Sequence, residues 1–344
     1  LAERLNRLAP GDFAKKTMLV TTGVEAVENA IKIARAHTGR SGVIAFGGGF
    51  HGRTMLGMAL TGKVKPYKAG FGPFPADIFH APFPSDFHGV AVEECLRTLD
   101  MMLLSSIDPM RVAAFIVEPI QGEGGFNVAP PEFLQALRAR ADKHGILLIA
   151  DEIQAGMART GRMFCFEHAG VVADLTTMAK GLAGGFPLSA VTGRADVIDS
   201  APVGGLGGTY AGNPLAIAAA HAVLDVIEDE NLCVRATEIG DILLGRLGAL
   251  AARQGMECIG DVRGKGAMVA FELVTDRTSK APDAALTNAI IAEAEARGLI
   301  VISCGMHGNA VRLLPPLTTP MGQVHEAMDI LEAAIEAAAM KRAA

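Results

Sequence analysis

Residues 17–37 read TMLVTTGVEAVENAIKIARAH, and the change of period inside this stretch decides the fold. Residues 18–21 are an apolar run of strand length, followed by Gly23. From there Val24, Val27, Ile31 and Ala34 recur at helical spacing over residues 24–37. Glu25 and Glu28 fall in the first turns, where the helix dipole favours acids. A strand that turns through glycine into an amphipathic helix is half of a βαβ unit.

The alternation repeats outward from there. Residues 43–46 are strand-like and end in Gly47, Gly48 and Gly49. Residues 112–117 are an apolar run of the buried-strand type, 131–143 a helix, and 146–150 a strand running into Asp151. Strands separated by helices imply an α/β fold with a mostly parallel sheet and helices on both faces. After about Glu230 the texture changes: helical stretches at 234–253, 284–297 and 322–340 flank short strands at 267–273, 299–303 and 310–313. Residues 275–282 read as a polar loop. The expected division is a large domain over residues 1–230 and a smaller α+β domain over 231–344.

Composition narrows the function classes. Half of the 344 residues are hydrophobic and 20% are charged, which excludes global disorder. The formal charge of −6 comes without any basic block, which argues against a nucleic-acid footprint or an anionic-membrane patch. Mean hydropathy is +0.32, yet the longest uncharged stretch, residues 200–224, carries Pro202, Pro214 and five glycines and cannot be one spanning helix. Cys95, Cys165, Cys233, Cys258 and Cys304 are odd in number and widely spaced, so neither a disulfide framework nor a zinc site is expected. The histidines show no metal-ligand spacing, and no metal is expected. The cysteine usage makes a reducing cytoplasm the simplest compartment, and no signal-peptide pattern is visible at Leu1.

Three stretches carry chemistry. Residues 21–26 (TTGVEA) place a helix N-terminus after a strand, a ready anion site, although an ordinary strand-to-helix turn reads the same way. Asp151 emerges where a parallel strand ends, the usual place for ligands, and would equally cap the next turn. Lys180 is the only charge between Asp174 and Arg194; a poorly solvated lysine is nucleophilic, and a snorkelling one is merely structural. A phosphate-binding helix start, a strand-end aspartate and a desolvated lysine are together what pyridoxal phosphate (PLP) needs.

Longer segments carry a resemblance. TTGVEAVENAIKIAR (21–35), FHGRT (50–54), LTGK (60–63), IVEPIQGEGGF (116–126) and LLIADEIQAGMARTG (147–161) are followed by DLTTMAKGLAGGFPLSAVTGR (174–194) and GGLGGTYAGNP (204–214). DVRGKGAM (261–268) and AVRLLPPLT (310–318) complete the series. In this collinear order the sequence resembles the class III (subgroup II) aminotransferases of fold type I, and within them the branch working on 4-aminobutyrate.

The resemblance implies a PLP enzyme that moves the amino group of 4-aminobutyrate to 2-oxoglutarate, giving succinate semialdehyde and glutamate. It implies Lys180 as the Schiff-base lysine and proton shuttle, Asp151 as partner of the pyridine nitrogen, and Gln154 at the ring hydroxyl. Gly23 and Val24 would give backbone donors to the phosphate, Phe50 would stack on the ring with His51 beside it, and Thr209 would reach the phosphate of a neighbouring subunit. A homodimer, or a dimer of dimers, is therefore implied. Arg53 would bind the ω-amino acid's carboxylate and Arg312 the α-carboxylate, with Glu123 pairing Arg312 when no α-carboxylate is present. Structural ion pairing is the plainer reading of both arginines.

Two departures stand out. Val24 occupies a position where the family often has Ser or Thr, so one hydroxyl contact to phosphate is absent. The family also carries a segment ahead of the position of Leu1 that builds one wall of the substrate site. The rival readings are a donor such as 5-aminovalerate, a racemase or decarboxylase of the same class, and an inactive truncated fragment.

Overall fold

The structure, a computed structural model, describes residues 1–343. The chain folds into two compact units. The first comprises residues 1–120, 129–158 and 162–230, and the second 121–128, 159–161 and 231 onward. Residues 121–128 and 159–161, which the sequence-based division puts in the large domain, thus pack with the second unit.

The first unit is built on a seven-stranded sheet. In spatial order its strands are Lys15–Val20, Ser189–Arg194, Leu175–Met178, Leu147–Asp151, Val112–Val117, Gly42–Phe46 and Ile78–Ala81. Ser189–Arg194 runs antiparallel to both neighbours and the remaining pairs are parallel. Alternation along the strands explains why two apolar layers form. Ile44, Phe46, Phe115, Leu148 and Ala150 join a core with the helices Val92–Ser105 and Pro131–His144. Val43, Ala45, Ile116, Leu147 and Ile149 join another with the helix Gly23–Thr38. Both faces of the strands are buried, as a parallel sheet with period-two side chains requires.

The second unit carries a four-stranded antiparallel sheet ordered Ile259–Lys265, Met268–Leu273, Ala310–Leu313 and Ile302–Cys304. Helices Leu232–Ala251, Ala284–Ala296 and Met321–Ala343 pack around it. The strand expected at 299–303 is Ile302–Cys304. Among the described residues no helix is long and apolar enough to cross a membrane; the uncharged stretch instead leads into Pro214–Asp229, with Pro214 in its first turn.

Candidate active site

The helix Gly23–Thr38 begins with a capping box: Thr22 accepts from the Glu25 N–H, and Glu25 Oε2 accepts from the Thr22 and Thr21 N–H groups at 2.7 and 2.8 Å. Glu25 therefore serves the N–H groups ahead of the helix. Those of Gly23 and Val24 are first-turn donors that no intrahelical carbonyl can reach. Gly23 is tightly seated, since a Cβ there would lie 3.0 Å from Ile153 Cδ1 and 3.5 Å from the Ala179 Cβ. The helix start thus abuts the residues next to Gln154 and Lys180. Val24 packs on Gly52, where a Cβ would come within 2.2 Å of Val24 Cγ2.

Asp151 ends its strand with a carboxyl group 3% exposed. Its Oδ2 lies 2.7 Å from His51 Nδ1, and its Oδ1 accepts from Thr177 Oγ1 at 3.0 Å and from the Ile153 N–H at 3.2 Å. Asp151 thus caps the turn that follows and is a buried carboxylate at the strand end. Burial alone would lower the pKa of the His51 ring, but the hydrogen bond and charge of Asp151, with the charge of Glu118, raise it. Glu118 Oε1 accepts from the Phe50 N–H at 2.7 Å, so it also fixes the 50–53 loop. Phe50 meets Tyr67 at 4.8 Å between ring centroids, and the Arg53 guanidinium lies 4.8 Å over the Tyr67 ring.

Lys180 follows the strand Leu175–Met178, opens a 3-10 turn and has a positive φ of 45°. The residue is exposed, so its own unit does not supply the expected poor solvation. It lies past the strand's carboxyl end, outside the layers that bury the sheet. Gln154 Oε1 is buried with no hydrogen-bond partner. Thr209 is exposed in the segment ahead of Pro214–Asp229.

Within the second unit, Arg312 Nη1 donates to Glu123 Oε1 at 2.5 Å, with side chains 16% and 21% exposed. Arg312 stands on the strand Ala310–Leu313, and Glu123 on the segment 121–128.

The first unit therefore carries Gly23, Val24, His51, Asp151, Gln154 and Lys180 at or beyond the carboxyl ends of strands of one sheet, with His51 on Asp151 and the helix start against Ile153 and Ala179. The second joins Glu123 to Arg312. Sequence reasoning missed Glu118, Thr177 and Tyr67. Glu118 had a usable signal, being a charged residue just past an apolar strand, as Asp151 is. Thr177 had none, because a hydroxyl within a strand is ordinary.

A largely parallel sheet in which a helix start, a buried carboxylate and a lysine each follow a strand's carboxyl end is the arrangement of a PLP-dependent transferase of fold type I. The family model for class-III aminotransferases matches residues 1–335, and the chain belongs to that family. It is 52% identical over 331 residues to the 4-aminobutyrate aminotransferase GabT of Escherichia coli, covering 96% of this chain and 77% of that protein. It is 51% identical over 332 residues to the 5-aminovalerate aminotransferase DavT of Pseudomonas putida, with the same coverage. Among solved structures, a Bacillus anthracis aminotransferase matches with a TM-score of 0.91 and 31% identity over 97% of this chain and 79% of that one. An amine transaminase from an uncultivated Pseudomonas species, described as PLP-bound, matches with a TM-score of 0.87 and 32% identity over 98% and 80%.

PLP is accordingly the cofactor, and the residues fit it. The orphaned Gln154 Oε1 needs a donor such as a ring hydroxyl, the Asp151 carboxyl is positioned and buried, and the helix start offers paired N–H groups.

Proposed function

We propose that this aminotransferase moves the amino group of an ω-amino acid, 4-aminobutyrate first and 5-aminovalerate second, to 2-oxoglutarate. The observation that carries this reading is the Glu123–Arg312 pair. A transaminase alternating between an ω-amino acid and an α-amino acid needs a guanidinium for an α-carboxylate that only one of the two substrates has. An internal carboxylate compensates that guanidinium in the other half of the cycle. The names of the GabT and DavT relatives support both donors, and one methylene is worth only ~1–3 kcal/mol of discrimination.

The residue roles follow. Gly23 and Val24 N–H groups hold the phosphate, Phe50 stacks on the ring with His51 beside it, and Gln154 donates to or accepts from the ring hydroxyl. Asp151, oriented by His51 and Thr177, holds a proton on the pyridine nitrogen. PLP, when bound, supplies the electron sink that makes the amine-bearing carbon acidic. Lys180 Nζ takes the proton from that carbon. Arg53 takes the ω-amino acid's carboxylate, and Arg312 the α-carboxylate once Glu123 releases it. Thr209, exposed in this chain, reaches the phosphate of a second copy, which makes a homodimer the active unit. The test is single-turnover loss of the PLP absorbance with each donor, then recovery with 2-oxoglutarate. A protein that reacts with glutamate and with neither ω-amino acid contradicts the reading.

A further inference from the structure

The loop that carries Glu123 is fastened to the small sheet by more than its ion pair. Arg263 and Arg312 are both registered opposite Ala270, on the strands to either side of it. Opposed residues of antiparallel strands project from the same face, so the two guanidinium groups leave the sheet together, across a buried alanine. Two residues along, the same face carries Asp261 and Glu272, registered opposite each other. Arg263 Nη1 meets Asp261 and Nη2 meets Glu272, each at 2.7 Å, while Nε donates to the Gly125 carbonyl at 2.8 Å. The Gly305 N–H donates to the Glu123 carbonyl at 3.0 Å. The backbone is thus pinned on both sides of Gly124. Gly125 has φ +115°, and a Cβ there would come 2.9 Å from Arg263 Nη2 and 3.2 Å from Gly305 Cα, so the clamp closes only over glycine. Phe126 beyond it is buried with φ 57°, a conformation that its surroundings must hold.

We propose that Arg263 is a positioning residue for the Glu123–Arg312 pair. It fixes the loop backbone, so that Arg312 is exchanged between Glu123 and a substrate α-carboxylate by side-chain movement alone. This rests on the reading of Glu123 and Arg312 given above. The fork geometry of arginine is essential, because one group must serve two carboxylates and a carbonyl at once. With the loop loosened, Glu123 guards Arg312 poorly. The ω-amino acid half-reaction, which needs that guard, suffers, and the α-carboxylate half-reaction does not.

The test is steady-state kinetics on Arg263→Lys, which keeps the charge facing Asp261 and Glu272, and on Gly125→Ala, which disturbs the clamp from the loop side. PLP content and melting temperature are measured alongside. The expected result is a KM for 4-aminobutyrate raised about tenfold, the loss of one charge-assisted hydrogen bond, with the KM for 2-oxoglutarate unchanged or lower. Equal changes in both KM values, or no change in either for Arg263→Lys, overturn the proposal. Glu123→Gln is run in parallel. If it splits the KM values and Arg263→Lys does not, the pair keeps its role and Arg263 loses the one proposed. If Glu123→Gln does not split them, the reading of the pair falls and this proposal with it.

Discussion

In the first unit, Asp151 lies buried against His51 and Thr177 at the end of an apolar parallel strand. In the second, Arg263 and Arg312 share one face of an antiparallel sheet with Asp261 and Glu272, and Glu123 closes on Arg312. The parallel strands offer neutral, desolvated walls, so one carboxylate set among them acts strongly and keeps its partner. On the antiparallel face Arg263 is held by the buried Glu272, whereas Arg312 and Glu123 are partly exposed, where an ion pair is weaker and can change partner. A fixed charge suits the chemical step and an exchangeable one suits the choice of substrate.

Variants of Asp151 and Lys180 should therefore slow both half-reactions together, and those at the Glu123–Arg312 pair, like those at Arg53, should separate them. The largest effect is expected from Lys180→Ala. Loss of the proton-moving amine should cost at least about 10²–10⁴-fold in both directions, measured by single turnover. Near wild-type rates would remove Lys180 from the mechanism. Asp151→Asn comes next, with the fold retained and both half-reactions slowed by a similar factor. Slowing of only one would make Asp151 a substrate residue and erase the contrast between the units.

Two smaller effects sharpen the electrostatic side. His51 has a raised pKa in the folded protein, so the stability it contributes is complete below its ordinary 6.5 and is lost as pH rises through the raised value. His51→Gln should flatten the fall in melting temperature over that window. An unchanged pH profile would mean that the ring is neutral in the fold. Burial pushes Glu152 from its ordinary 4.5 to about 7, and its Oε2 is buried without a partner. The folded state holds that proton more tightly, so a cost of ionisation sets in above 4.5 and is complete above about 7. Glu152→Gln should gain stability over wild type at about pH 8 relative to about pH 4, by about 3 kcal/mol at most. A constant difference across that range would contradict a neutral, buried Glu152.

Much of the first unit was legible in the sequence because its signals are local. The strand Val112–Val117 shows as an unbroken apolar run and the helix Gly23–Thr38 by its period, and Asp151 stands where an apolar strand stops. The strand Ser189–Arg194 was not legible, because SAVTGR is short and mixes polar residues among small ones; its place is set by pairing on both sides. Lys180 was legible as an isolated charge, but its exposure was not, since solvation depends on what lies beyond the strand end. In the second unit Arg312 and Glu123 came only through resemblance. They are 189 residues apart, and no local pattern connects them. Arg263 escaped altogether, because its role comes from a register shared across Ala270.

The assignment of substrate choice is tested most directly by single-turnover kinetics on Arg312→Ala beside Arg53→Ala. The PLP absorbance is followed with 4-aminobutyrate, with glutamate, and then with 2-oxoglutarate. Arg312→Ala should lose roughly 2–5 kcal/mol in the glutamate and 2-oxoglutarate direction and far less with 4-aminobutyrate, while Arg53→Ala does the reverse. Equal losses in both directions for the two variants would make the arginines structural and contradict the assignment of substrate choice to the Glu123–Arg312 pair.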